Sequence, residues 1–224
     1  MVFDSISYNQ FLIAYKVIGF FEKPVTLKSG RVSHWYVNCR VLSDRLGAID
    51  HLADFVLAFA AEHGFLADYY YGVPEGATKL AVILNYKKGK AAHDREQALV
   101  IGRGKPKEHG DPKDRFFIGP VQEGDTAVVI EDVTTTGGSL VETIKNLRDS
   151  KIDVVAAIGL VNRMEKRADG KSVKQAIEEL HIPYRAMSRA SELLPLAKEF
   201  SKPDASVWQA VLDYFDRYGI TPLT

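Results

Sequence analysis

The residues of this chain best equipped for chemistry run from Val128 to Leu140, VVIEDVTTTGGSL. An apolar run of strand type ends in two adjacent acids, Glu131 and Asp132. Thr134, Thr135, Thr136, Gly137, Gly138 and Ser139 then turn the chain into a stretch of helical pattern. Glycine lets a ligand approach the backbone closely, and a helix start presents unpaired N–H groups at the positive end of its dipole. With the Thr and Ser hydroxyls added, such a turn is a compact cradle for a phosphate monoester. The two carboxylates beside it suit a ribose diol, a bound Mg²⁺ or positive charge developing on a sugar ring. The plain alternative is a strand–loop–helix junction in which Thr caps the helix and the acids are solvated. Two acids placed directly before TTTGGS favour phosphate. No Gly-Lys-Ser/Thr follows and no GxGxxG is present, so the segment is neither a Walker loop nor a dinucleotide fingerprint.

These groups need a frame, and the chain supplies one in alternating pieces. The patterns predict strands at 67–73, 98–101, 126–133 and 154–161, with helices at 44–63, 77–87 and 138–150. Strands such as AVVI and VVAAIGLV are apolar throughout, as expected where both faces are covered. Alternation of this kind predicts an α/β fold, a central mostly parallel sheet flanked by helices. Ligands bind such sheets at the C-terminal edge, where Glu131 and Asp132 emerge. Ahead of this frame, 3–18 has helical spacing ended by Gly19, and 25–27 with 32–37 alternate like two short strands around Lys28-Ser29-Gly30-Arg31. Asp44 is placed to cap the 44–63 helix, with Leu46, Ile49, Leu52, Val56 and Phe59 as its apolar stripe. Beyond Arg163 come a helix at about 172–180, a short strand at 184–187 and C-terminal helices carrying Phe200, Trp208, Tyr214 and Phe215. Residues 103–122, RGKPKEHGDPKDRFFIGPVQ, are long and charged for a connection, as functional lids are.

Composition removes several classes of function. The 224 residues carry 29 basic and 29 acidic side chains, so no bulk field points to nucleic acid or a membrane surface. A single cysteine, Cys39, excludes an internal disulfide and fits a reducing compartment, hence the cytoplasm. The N-terminus has no basic start followed by an apolar core, and no apolar run approaches the ~18 residues a membrane span needs.

VVIEDVTTTGGS resembles the ribose-phosphate signature of the type I phosphoribosyltransferases, which use phosphoribosyl pyrophosphate (PRPP) with Mg²⁺. Three further segments, spread over nearly the whole chain, resemble the orotate-specific branch of that family: 27–38, LKSGRVSHWYVN; 103–110, RGKPKEHG; and 160–167, LVNRMEKR. The resemblance implies one domain over 1–224, with a core at about 41–190 under a small hood from about 1–40 and C-terminal elements. It implies that Lys28 and Tyr36 line the orotate and pyrophosphate end, where Lys28 and Arg31 offer cations and Tyr36 covers a planar base. Arg163 would meet the polar edge of that base. Arg103, Lys107 and His109, with Lys105 standing in for a second Lys replaced by Gly104, would clamp pyrophosphate across the interface of a homodimer. YGVPEGA at 71–77 matches the pyrophosphate loop, with Val73 and Gly76 as backbone contacts. Many relatives carry Lys where this chain has Glu75. Mg²⁺ would be bound mainly through PRPP and pyrophosphate rather than by a protein cage. The expected partners are orotate and PRPP, with neither nucleic acid nor membrane. A sister enzyme acting on another base, or a PRPP-sensing regulator without catalysis, are the competing readings.

Overall fold

In a computed structural model, residues 2–27, 29–105, 107–109 and 116–223 are described. Lys28, and residues 106 and 110–115 of the basic segment, lie outside them. The order of elements is α1 (Ser5–Ala14), β1 (Ile18–Thr26), β2 (Val32–Val37), a 3₁₀ turn (Cys39–Ser43), α2 (Leu46–Glu62), β3 (Tyr69–Gly72), α3 (Thr78–Ala92), β4 (Ile101–Gly102) and β5 (Phe117–Ile118). There follow β6 (Thr126–Thr134), α4 (Gly138–Asp149), β7 (Asp153–Asn162), α5 (Val173–Glu178), β8 (Tyr184–Arg189), α6 (Ala190–Ser201) and α7 (Ala205–Tyr218).

The central sheet has the order β3-β6-β7-β8, and every pairing in it is parallel. Successive side chains of β6 point to opposite faces, so its apolar run fills two cores at once. Val128 and Ile130 pack with α1, α2, α6 and α7, while Ala127 and Val129 pack with Leu140, Ile144, Leu147 and Ile177. This is why the run reads as continuously apolar. Strand β3 lies at one edge of the sheet. There the buried Asn85 of α3 accepts from the Tyr70 N–H (2.7 Å) and donates to its carbonyl (2.9 Å), closing part of an edge that could otherwise pair with another chain.

Beside this core, β1 and β2 form an antiparallel hairpin packed against α7, with Trp35 stacked on Phe215 at 5.6 Å between ring centroids. Several sequence expectations shift here. The first helix stops at Ala14, with Lys16 in the left-handed region at φ 54°, and Ile18 already belongs to β1. Its apolar residues satisfy both periods, so spacing alone extended the helix too far. Asp44 does not cap α2: the N-cap is Arg45, without a side-chain bond, and Asp44 closes the preceding 3₁₀ turn. Leu46 is exposed rather than part of the buried stripe. The strand expected at 98–101 is only Ile101–Gly102. It pairs antiparallel with Phe117–Ile118 in a separate two-stranded ribbon, so the basic segment is closed at its base by a hairpin. Among the described residues, no helix is long and apolar enough to cross a membrane.

Candidate active site

Strand β6 lies between β3 and β7, so Glu131 and Asp132 leave the sheet at the middle of its C-terminal edge. A cavity of about 510 Å³ opens there, lined by Glu131, Asp132, Thr135, Thr136, Gly137, Gly138 and Ser139 from this side. Gly137 is the N-cap of α4 at φ 68°, a conformation that suits glycine, and an added Cβ would also lie 2.9 Å from Val173 Cγ1. At Gly138 a Cβ would meet nothing within 4 Å, so the cavity reaches the backbone there. No side chain caps the start of α4, which leaves the helix terminus to face the cavity with its own N–H groups. The Thr136 carbonyl is turned away and held by Arg167 Nη1, a contact the sequence reading missed.

Thr134 departs from expectation. It is fully buried below the loop, with its Oγ1 2.7 Å from the Tyr184 hydroxyl, and it does not line the cavity. As the last residue of β6, in register with Asn162, its side chain is committed to the layer between strands and α5. Three threonines in a row look alike in sequence, but the strand ends between the first and the second.

The two acids differ in setting. Glu131 is buried. The Asp132 carboxylate accepts from the Val133 N–H (2.9 Å). Burial raises its pKa above the ordinary 3.8, opposed by that hydrogen bond and by the charge of Arg40. The Asp132 carboxylate presses on the loop after β3: a Cβ on Gly76 would lie 2.5 Å from its Oδ1. Any side chain at 76 would therefore displace that carboxylate or the loop.

The hairpin forms the opposite wall. Alternation along β2 buries Ser33, Trp35 and Val37 and turns Tyr36, 44% exposed, to the cavity rim. The 3₁₀ turn adds Asn38, Cys39 and Arg40, which sequence reading did not assign to the site. Cys39 is buried, and burial with the charge of Asp132 pushes its thiol pKa well up, which suits an inert wall rather than a nucleophile. Arg40 is exposed and has no ion-pair partner among the described residues beyond its field at Asp132. Arg163 also lines the cavity, almost wholly buried. Arg31, expected to offer its cation to a ligand, instead binds Glu165 (2.6 Å) and the Lys166 carbonyl (2.6 Å). Lys28, its neighbour in the same motif, lies outside the described residues.

On the remaining side stand Val73, Pro74 and Gly76. The Val73 N–H donates to the Ile130 carbonyl (2.8 Å) and the Ala77 N–H to the Val73 carbonyl (3.2 Å), so these two amides are already engaged. Glu75 is exposed and does not line the cavity; it sits toward the basic segment, where a Cβ on Gly104 would be 3.4 Å from its Oε1. Arg103, Lys105, Lys107 and His109 are not in the wall of this cavity. Arg103 is half-buried and its Nε donates to the Phe117 carbonyl (3.3 Å), while the other three are exposed. Among the described residues no group of three or more His, Cys, Asp or Glu could hold a metal ion.

No protein-family model matches the chain. An orotate phosphoribosyltransferase of Pyrococcus horikoshii is 33% identical over 171 residues, which cover 76% of this chain and 84% of that protein. One of Rhodopseudomonas palustris is 32% identical over 173 residues, 76% of this chain and 87% of that one. Among solved structures, orotate phosphoribosyltransferase of Francisella tularensis superposes with a TM-score of 0.70 at 19% identity, covering 95% of this chain and 99% of that one. The enzyme of Aeropyrum pernix gives 0.65 at 20% identity, over 88% and 99%. These structural likenesses carry the fold, and the sequence relatives carry the family. A parallel α/β sheet, a glycine turn into a helix beside two acids at its edge and relatives above 30% identity over three quarters of the chain agree: the chain belongs to the orotate phosphoribosyltransferase family.

Proposed function

We propose that the chain transfers the 5-phosphoribosyl group of PRPP to N1 of orotate, releasing pyrophosphate and forming orotidine 5′-monophosphate for pyrimidine nucleotide synthesis. One observation carries the reading. A single cavity gathers a phosphate loop at a helix start, two carboxylates, an exposed tyrosine face and a buried arginine.

In this reading the 5′-phosphate occupies the turn from Thr135 to Ser139, where α4 offers N–H groups and positive dipole. Glu131 and Asp132 take the ribose hydroxyls and favour a ring that becomes cationic as the C1–O bond to pyrophosphate breaks. Burial of Asp132 strengthens that interaction, because low dielectric magnifies charge contacts. Tyr36 covers the base, and the Arg163 guanidinium meets its oxygens. Orotate reacts as its anion, so no general base is assigned. The protein's work is positioning and electrostatics.

Leaving pyrophosphate lies toward Pro74 and Gly76, with Arg40 as a cation on this chain's own wall. The two carboxylates of Glu131 and Asp132 suit an Mg²⁺ ion brought in by PRPP, and such an ion would neutralise charge growing on the diphosphate. Arg103, Lys105, Lys107 and His109 complete the clamp from a second subunit of a homodimer. We take residues 1–224 as one cytoplasmic domain, with the β1–β2 hairpin and the C-terminal helices as a hood over the core.

Purified protein with PRPP, Mg²⁺ and orotate should consume orotate absorbance and yield pyrophosphate in equal amount. Turnover with another base but not with orotate points to a sister enzyme. Tight PRPP binding with no turnover points to a regulator.

A further inference from the structure

Arg163 is held by an arrangement that reaches well beyond the cavity. Its Nε donates to Glu165 Oε1 (2.6 Å), and the other oxygen of Glu165 accepts from Arg31 Nη1 (2.6 Å). Glu165 is fully buried, Arg163 nearly so, and Arg31 keeps only 17% of its side chain exposed. Arg31 belongs to the loop between β1 and β2, and its second nitrogen donates to the Lys166 carbonyl (2.6 Å) while its guanidinium lies 4.7 Å from the Tyr218 ring. The Arg163 guanidinium lies 3.7 Å over the Trp35 ring, with Nη2 3.5 Å from Ser33 Oγ. Its Nη1 is buried and has no hydrogen-bond partner among the described residues.

We propose that Glu165 is the positioning residue for base recognition, with Arg31 as its anchor in the hairpin. The proposal rests on the reading of Arg163 as the contact to orotate. Glu165 fixes the guanidinium at Nε and Trp35 fixes it by one face, which sets where the Arg163 guanidinium stands at the wall of the cavity it lines. Two guanidiniums against one carboxylate leave a net charge of +1 in a buried setting, which matches a base bearing a carboxylate and disfavours an uncharged pyrimidine. A buried donor without a partner and a surplus charge are both costly until a ligand answers them. Because Glu165 also grips Arg31, the orientation of Arg163 depends on the seating of the hairpin that carries Tyr36.

The test is steady-state kinetics with separate KM values for orotate and PRPP. Glu165→Gln keeps the shape but leaves one of the two arginines facing an amide instead of a carboxylate. It should raise KM for orotate about 10-fold, with KM for PRPP changed less than about 2-fold. Arg31→Lys, which cannot span Glu165 and the Lys166 carbonyl together, should raise KM for orotate by about 3-fold. In an Arg163→Ala background, Glu165→Gln should add nothing further to KM for orotate, an outcome that a general loss of packing would not give. A folded Glu165→Gln protein with the parental KM for orotate overturns the proposal. If Glu165→Gln does not fold, an Arg31→Lys protein with parental KM for orotate overturns it equally. A parent chain with no orotate turnover overturns the function on which the proposal rests, a result distinct from either.

Discussion

Replacing Gly76 by alanine tests the site at its tightest point. The added Cβ would be built 2.5 Å from Asp132 Oδ1, whereas ordinary van der Waals contact begins at 3.4 Å, so the carboxylate or the loop must give by about 0.9 Å. Asp132 accepts from the Val133 N–H at 2.9 Å and lies near the end of β6, where the backbone is still paired with β7, so the carboxyl group swings more readily than the backbone moves. A displacement of about 1 Å in a catalytic group costs on the order of 100-fold in rate. Gly76 is only half-buried in a loop, so the fold should persist. The assay is the initial rate of orotate loss at saturating PRPP and Mg²⁺, with a melting curve beside it. Gly138→Ala is the matched control, because its Cβ meets no protein atom within 4 Å and so intrudes only on space for the ligand. We expect Gly76→Ala to lower kcat about 100-fold, and Gly138→Ala to act mainly on KM for PRPP. A folded Gly76→Ala protein with kcat within about 3-fold of the parent refutes the placement of Asp132 in the reaction.

Three further outcomes are expected. Asp132→Asn should abolish most activity yet stabilise the ligand-free protein at neutral pH. Because burial raises the folded pKa above 3.8, the parent is relatively most stable below that pH and loses stability as pH rises toward the folded value. The melting advantage of Asp132→Asn should therefore vanish near pH 3.5 and be full at pH 7; an advantage that grows on acidification contradicts the assignment. Thr134→Val should cost about 1–2 kcal/mol in denaturant unfolding through loss of the bond to Tyr184, with KM for PRPP unchanged. A raised KM for PRPP at parental stability would return Thr134 to the binding site. Mixing equal amounts of Lys107→Ala and Asp132→Ala chains should regenerate about a quarter of the parental activity per total site if the basic segment serves the neighbouring subunit, since about half the dimers are mixed and each holds one intact site. Mixed dimers that form and stay inactive exclude that sharing.

The course of the chain through the site was legible from local pattern. A fully apolar strand flanked by helical segments fits the inside of a parallel sheet, and glycines after TTT suit a turn into a helix. These are nearest-neighbour properties, so Glu131, Asp132 and the loop from Thr135 to Ser139 lie where the spacing places them. Cations were not legible in the same way. LKSGR and LVNRMEKR each offer arginines that look suited to an anion, but a guanidinium goes to whichever acceptor folding brings near. Arg31 met Glu165, 134 positions away in sequence, and was taken up by it; Arg163 met the same carboxylate and still lines the cavity. Glu75 likewise lies beside Gly104 rather than in the cavity, a neighbourhood set by the short β4–β5 ribbon. Thr134 and Thr135 are adjacent and chemically identical, yet one closes a buried strand and the other opens the turn that lines the cavity. Sequence by itself determined the reaction class and the side of the sheet on which it runs, because backbone period and turn chemistry act over a few residues. Only the tertiary structure decided which charges face the ligand and which hold one another, because pairing in a low-dielectric interior depends on distances that no local pattern encodes.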